Sequence, residues 1–265
     1  MASVFGGPVQ TLKGLGLRTG TKLPWLPENT RERGEEKLRL LLDWMCRFHY
    51  SNVALLMQLL GLNHPSNRVY FQRLIAKEFI KRVDLPTLRR PVLMLTASGL
   101  SLLEGVPETA EYNVDERRIT ASLARHGLAV QRAVLNRRGD WNTVIPQRLM
   151  RQRGRKVPDA MLEKDGLRTA LEVELTYKTR LKIYVALADH ARAIRDSRYE
   201  RVEYVFTNPA MCQSYKGLFD EKRWPVYRWN ERTRHYDKDE EMFLADSFAG
   251  LREAVTFTVE ELPRD

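Results

Sequence analysis

The chain is poor in cysteine and has no long apolar run. Its only two cysteines, Cys46 and Cys212, lie far apart and outside any CxxC or Cys/His spacing. This excludes a disulfide framework and gives no sign of a zinc site. No stretch of about 18 apolar residues is present to cross a bilayer, and the N-terminus has no signal-peptide core. We therefore expect a cytoplasmic protein without a membrane partner.

Acidic residues are outnumbered by basic ones. Forty-four Lys and Arg stand against 34 Asp and Glu, which gives a formal charge of +10 and a pI near 9.7. Such an excess is typical of a protein that binds a polyanion, so DNA or RNA is the first partner to consider. The alternative interpretation is that the charge serves only solubility.

Three stretches of the chain differ in pattern. Residues 1–34 are rich in Gly and Pro and show no helical or strand period, so we interpret them as a basic flexible tail. Residues 35–108 show a helical period and then a short strand-like one. Residues 109–265 combine strand and helix patterns and are predicted to form a second domain.

The 35–108 stretch has the element order of a winged helix. A first helix begins near Glu35, a second follows an N-cap at Ser51 or Asn52, and a third covers about residues 65–77. Two short strands, FIKRVDL and RPVLMLT, and a closing helix come next. In a winged helix the third helix enters the major groove and the hairpin approaches phosphates, although such modules also dock to proteins.

The third helix predicts a DNA-reading face. We expect Val69, Leu74 and Ile75 to point inward. The predicted DNA-binding side chains lie on the outer face of the helix and in the hairpin: Asn67, Arg68, Tyr70, Gln72, Arg73, Arg89 and Arg90.

The second domain is predicted to be a mixed sheet with helices on its faces, an α+β or α/β fold. A long amphipathic helix spans VDERRITASLARHGLAVQRAVL, and its candidate buried residues are Ile119, Leu123, Leu128, Val130 and Val134. Strands are expected at DAMLEKD, TALEVELTY, VEYVFTN and PVYRWN, with the helix TRLKIYVALADHARAIRD between the second and the third. A strand, helix and strand of these lengths indicate a crossover unit.

Three carboxylates are the candidates for chemistry. Glu172 and Glu174 alternate on one strand and share a face, and a turn at Gly166 brings the strand that starts at Asp159 beside them. Their mutual repulsion favours a bound cation, and oxygen ligands suit Mg²⁺ or Mn²⁺. Such an ion activates water for attack on a phosphodiester, and Lys178 would stabilise the phosphate if the strand continues. The alternative is the solvated face of a half-exposed sheet.

Basic residues and one histidine flank the carboxylates. The run RLMRQRGRK would bring DNA phosphates to them through Arg148, Arg151, Arg153, Arg155 and Lys156. His126 stands beside a glycine in a helical pattern, and it is either a structural hydrogen-bonding residue or a catalytic one that faces the carboxylates.

The order PD, turn, ExE and basic helix resembles the PD-(D/E)xK nuclease core, with Glu174 where many members carry lysine. The segments LARHGLAVQRAVL, KVPDAML and ALEVELTYKT behind a winged helix also resemble the replication-relaxation family of plasmids and integrative elements. That family is similar to the MOB-C class of conjugative relaxases. The resemblance covers roughly residues 36–210 and implies a restriction-endonuclease-like sheet behind the winged helix.

The resemblance further implies an activity, its residues and its partners. The activity is that of a divalent-metal-dependent DNA endonuclease, a nickase or relaxase acting at an origin of transfer or replication during plasmid mobilization and conjugation. Asp159, Glu172 and Glu174 match the acidic, metal-holding positions, and Lys178 and His126 match further catalytic ones. Relaxosome or coupling proteins would be partners besides the origin DNA. No HxH motif is present, so a covalent tyrosine intermediate is not implied.

Two other functions stay open. The chain could be a non-catalytic DNA-binding accessory of replication or transcription that keeps a nuclease-like scaffold. It could also be a repair or restriction nuclease, which would need a symmetric dimer to cut both strands. The sequence carries no dimer seam and leaves the oligomeric state undetermined.

Overall fold

A computed structural model describes residues 30–62, 64, 67–103, 105–150 and 157–261. Within these ranges the fold is mixed α+β, with one three-stranded, one five-stranded and one two-stranded sheet. Most of the predicted tail and the predicted start of the third helix lie outside the described residues. So do four residues of the basic run, Arg151, Arg153, Arg155 and Lys156.

The N-terminal elements surround a small antiparallel sheet. They are α1 (Thr30–Phe48), β1 (Tyr50–Ser51), α2 (Val53–Leu59), α3 (Arg68–Ala76), β2 (Ile80–Val83), β3 (Val92–Leu95) and α4 (Ala97–Ser101). The sheet order is β1-β3-β2. Of the two N-cap candidates for α2, Asn52 is the cap, because its side chain accepts a hydrogen bond from the amide of Leu55.

The buried face of α3 differs from the predicted one. Phe71 and Leu74 are the buried residues, whereas Val69 is 45% exposed and Ile75 36% exposed. Successive residues of a helix are separated by about 100°, so Val69 lies about 200° from Phe71 and faces away from the core. The prediction that Val69 points inward was wrong because the missed Phe71 sets the inward direction, and Ile75, predicted inward as well, is exposed near the end of α3.

The C-terminal elements build a larger mixed sheet. They are α5 (Ala121–Asn136), β4 (Thr143–Pro146), β5 (Ala160–Lys164), β6 (Leu167–Glu174), α6 (Arg180–Arg195), β7 (Arg201–Phe206), α7 (Pro209–Phe219), β8 (Arg223–Asn230), β9 (His235–Leu244), α8 (Leu251–Ala254) and β10 (Val255–Val259). The sheet order is β10-β7-β6-β5-β4. Strands β4, β5 and β6 are antiparallel neighbours, and β7 runs parallel to both β6 and β10.

Two predictions about the C-terminal elements were wrong, one about a strand and one about a helix. The segment PVYRWN belongs to β8, which pairs with β9 in a separate hairpin, because β10 already occupies the edge beside β7. The helix predicted from VDERRIT onwards begins only at Ala121, since Thr120 caps it through the amide of Leu123. Leu123, predicted to be buried, lies in the first turn of the helix and is 52% exposed, while Leu128 and the other predicted inward residues are buried.

One core crosses the predicted boundary near residue 108. A continuous buried cluster extends from α1 through α5 to β6, and a second one packs α6 and α7 against β7 and β10. Gln131 of α5 accepts a hydrogen bond from the Trp44 indole at 2.9 Å and donates to the Tyr50 carbonyl at 2.8 Å, with its side chain fully buried. Helix α5 packs on both the three-stranded and the five-stranded sheet. None of the described helices combines the length and apolarity needed to cross a membrane.

Candidate functional site

At the end of β6, side chains contact the main-chain groups that strand β5 does not reach. Extending the β5–β6 register past its first pair, Ala160 with Leu171, would set Val173 opposite Pro158. Proline has no amide hydrogen to donate to a neighbouring carbonyl, and β5 begins only two residues later. The Val173 amide instead donates to Oδ2 of Asp159 at 2.8 Å, and Nε2 of His126 lies 3.1 Å from the Val173 carbonyl oxygen.

His126 and Asp159 form the first pair of this site. Nε2 of His126 is 3.3 Å from Oδ2 of Asp159. Because both neighbours of that nitrogen are acceptors, Nε2 carries the proton. The hydrogen bond with Asp159 raises the pKa of His126 against the opposing effect of burial, and the negative charge of Glu174 contributes in the same direction as Asp159. The predicted approach of His126 from α5 to the acidic residues is therefore present in the structure.

Glu174 and Lys178 form the second pair. The strand ends at Glu174, so Lys178 does not continue the alternation of the strand. The Lys178 ammonium nevertheless donates to Oε1 of Glu174 at 2.5 Å. The Glu174 side chain is 4% exposed and that of Lys178 33% exposed, which places the pair at the edge of the protein interior. Tyr215 of α7 lies behind it, and burial together with the Glu174 charge raises the pKa of the Tyr215 phenol.

Glu172 lies deeper, against α6. Its Oε1 is 3.1 Å from Nε2 of His190, an ion-pair distance with an angle outside the hydrogen-bond range, and both side chains are at most 2% exposed. The other nitrogen of His190 lies 2.6 Å from the Tyr199 hydroxyl. Burial, followed by the charges of Glu172 and Glu174, raises the pKa of Tyr204 well above its ordinary value.

Each of the three predicted metal ligands thus contacts a different protein group: Asp159 the Val173 amide, Glu174 Lys178 and Glu172 His190. Glu172 and Glu174 share a face of β6, and Asp159 lies at the same end of the sheet beside Val173. No three His, Cys, Asp or Glu side chains in the described ranges gather closely enough to hold a metal ion. By donor type, Asp159 and Glu174 suit a hard cation, because Mg²⁺ commonly binds one or two carboxylates and completes its shell with water and phosphate oxygens.

Of the predicted DNA-binding residues on the third helix and the hairpin, most are exposed. The exposed ones are Arg68, Gln72, Arg73, Arg89 and Arg90, whereas Asn67 and Tyr70 are half-buried. Burial raises the pKa of Tyr70 to about 12.

Arg148 does not serve the expected phosphate-guiding role. Its guanidinium donates to the main-chain carbonyls of Cys46 and Arg47, at the C-terminal end of α1. A cation is favourable at that end of a helix, where free carbonyls carry partial negative charge. Arg148 therefore holds α1 against the segment that follows β4.

His190 was missed as a partner of the site. The signal was available, because His190 follows Ile183 and Leu187 on the apolar stripe of α6 at helical spacing. A polar side chain on such a stripe needs buried partners, and the Tyr199 hydroxyl and the Glu172 carboxylate are the groups beside His190. Glu172 and His190 are 18 positions apart, so no local motif joins them.

Comparisons with family models, with curated proteins and with solved structures gave no match to this chain.

Proposed function

We propose that this chain is a divalent-metal-dependent DNA endonuclease that nicks one strand at an origin of transfer or replication. The observation that carries the proposal is the succession α5-β4-β5-β6-α6-β7 with Asp159 at the head of β5 and two glutamates on β6. The proposal is supported because PD, the turn at Gly166, the strand with two glutamates and the following helix succeed one another as in the resemblance to the PD-(D/E)xK core.

The N-terminal elements support DNA binding as a winged helix. Three helices and an antiparallel β2–β3 pair follow one another in the required order. Arg68, Gln72 and Arg73 are exposed on α3, and Arg89 and Arg90 are exposed in the β2–β3 connection. Cationic side chains on one helix and one hairpin are suited to a groove and its flanking phosphates.

The residues at the end of β6 would divide the chemistry among themselves. Asp159 and Glu174 would hold Mg²⁺ or Mn²⁺. Such an ion would lower the pKa of bound water and would provide a Lewis acid at the phosphate. Lys178 offers a cation beside Glu174 that can pair with the scissile phosphate. His126 orients Asp159 through their 3.3 Å contact. Glu172 stays with His190, which removes it from the ligand set that the sequence alone predicts.

The test is nicking of a supercoiled plasmid that carries the transfer or replication origin of the same genetic element. With Mg²⁺ or Mn²⁺ we expect open circles from the wild type and none from Glu174→Gln or Asp159→Asn. Glu163→Gln is the matched control, because it neutralises a carboxylate on β5 away from the site. Equal nicking by all four proteins would refute the site, and nicking without a divalent ion would refute the metal.

A non-catalytic DNA-binding accessory is the second candidate, and one observation favours it. Each of the three acidic side chains contacts another protein group, and no three-donor group is present in the described part of the chain. Origin binding that survives Glu174→Gln, with no nicking by the wild type in either metal, would select this alternative.

A further inference from the structure

The β8–β9 hairpin carries an exposed pair of aromatic rings. Trp229 and Tyr236 are directly opposite each other in the antiparallel register. Their ring centroids are 5.1 Å apart at an interplanar angle of 67°. Trp229 is 47% exposed and Tyr236 37% exposed, although each ring could bury a large apolar area. The two rings therefore support each other and leave ring surface open to solvent.

The base of the same hairpin shows that the exposure is confined to its tip. Trp224 and Phe243, also cross-strand partners, stack at 5.2 Å and 12°, and Trp224 is fully buried against Phe219. Two-stranded hairpins are marginal without such an anchor. The base fixes the hairpin to the second core, and the tip projects its aromatic pair beyond that core.

The turn next to the rings is fixed by Asn230 and carries two arginines and one glutamate, Glu231. Asn230 accepts hydrogen bonds from the amides of Arg232 and Thr233 at 3.0 and 3.2 Å, which defines the turn. Arg232 and Arg234 are exposed there, immediately before the histidine and tyrosine that begin β9. Both arginines thus lie in the turn that joins Trp229 to Tyr236.

Three of the nearby acidic side chains contact other residues of the hairpin. Asp237 accepts from the Asn230 amide at 2.6 Å. Asp239 and Glu241 both pair with Arg228 lower on the hairpin, the latter at 3.3 Å. Glu231 of the turn and Glu240 of β9 are also exposed, so the tip offers open aromatic faces beside two exposed arginines among side chains of both signs.

We propose that Trp229 and Tyr236 form a stacking site for unpaired bases of a single-stranded nucleic acid, with Arg232 and Arg234 contacting its phosphates. Bases stack on aromatic rings regardless of sequence, while the duplex hides its base faces. A nickase that melts DNA or releases a strand exposes unpaired bases, and these are the ligands that such rings bind. The inference rests on the proposed function only for the ligand being a nucleic acid, since the aromatic tip lies outside the acidic site.

The experiment measures binding of a fluorescein-labelled oligothymidylate to the full-length protein by anisotropy, without divalent ions so that no cleavage occurs. We expect the Trp229→Ala/Tyr236→Ala double variant to weaken binding at least about fivefold, as loss of one stacked base does. The Trp229→Phe/Tyr236→Phe variant should retain binding, because it keeps both rings. Met242→Ala, an exposed apolar residue of the same hairpin, is the matched control and should bind as the wild type does.

Two results would overturn the inference. One is equal oligothymidylate binding by the wild type and the double alanine variant. The other is an equal loss for a blunt duplex of the same length, which would indicate a general phosphate contact instead of base stacking. Failure of the proposed nuclease would appear separately, as absent plasmid nicking with oligothymidylate binding intact.

Discussion

The main-chain amide of Val173 donates a 2.8 Å hydrogen bond to the carboxylate of Asp159. A carboxylate that would hold a metal in the proposed nuclease is thus also the group that satisfies an otherwise unpaired strand amide. A buried amide without a partner costs about 1–3 kcal/mol, so Asp159 has a structural role whether or not the site is catalytic. Experiments on this residue must separate the two roles.

Replacement of Asp159 by Asn separates them. The amide oxygen of Asn can still accept from Val173, so we expect the free energy of unfolding to fall by no more than about 1 kcal/mol. Asp159→Ala removes the acceptor and should cost about 1–3 kcal/mol. Both variants should lose metal-dependent nicking. Urea denaturation and plasmid relaxation measure the two effects, and an asparagine variant that is stable and still nicks at the wild-type rate would rule out the metal-holding role.

Stability should depend on pH through His126. Its pKa is raised in the folded protein, chiefly by the Asp159 hydrogen bond, so the protonated ring is favoured by folding. The stabilisation is fully present below the ordinary pKa of about 6.5 and is lost as pH rises through the higher folded pKa. We expect the difference in unfolding free energy between wild type and His126→Gln to shrink across that window. Denaturation at a series of pH values measures it, with His235→Gln in the exposed hairpin as control.

The two glutamates of β6 should behave differently. Glu172→Gln replaces the buried carboxylate that faces His190 with a neutral amide and should lower the free energy of unfolding by about 1–3 kcal/mol. Glu174→Gln, at the half-exposed Lys178, should cost about 1 kcal/mol. A double-mutant cycle with His190→Gln tests the pairing. A coupling energy near zero between positions 172 and 190 would contradict it.

Gly127 should not accept a side chain. A Cβ at this position would lie 2.3 Å from the Tyr50 hydroxyl, which donates to the Leu123 carbonyl at 2.7 Å. We expect Gly127→Ala to destabilise the fold by about 1–3 kcal/mol, although alanine has a better helix propensity than glycine. Adding Tyr50→Phe should recover part of that loss. Gly217→Ala in α7, with open space around its Cβ, is the control and should stabilise by up to about 1 kcal/mol.

Duplex binding should depend on the exposed cations of α3. Each phosphate contact adds about 0.9 to the slope of log affinity against log salt concentration. The Arg68→Ala/Arg73→Ala double variant should therefore bind duplex more weakly and with a slope reduced by about two. Arg195→Ala, an exposed arginine of α6, is the control. Unchanged slopes in the double variant would place the duplex elsewhere on the protein.

The sequence by itself determined the features that follow from local periodicity and composition. The alternation of LEVE sets Glu172 and Glu174 on one face, and the glycine turn followed by a strand, helix and strand predicts the β5–β6 hairpin and the crossover. The net charge of +10 needs no structure. These features depend on residues a few positions apart, where backbone geometry alone orients the side chains.

Only the tertiary structure decided which distant element covers each face. Glu172 faces His190 because α6 packs on that side of β6, while Asp159 accepts from Val173 because the β5–β6 pairing ends at Ala160 and Leu171. Strand β10 takes the sheet edge that the β8 segment was expected to fill. These pairings join residues far apart in the chain, and their choice depends on the summed packing of both cores instead of on any local pattern.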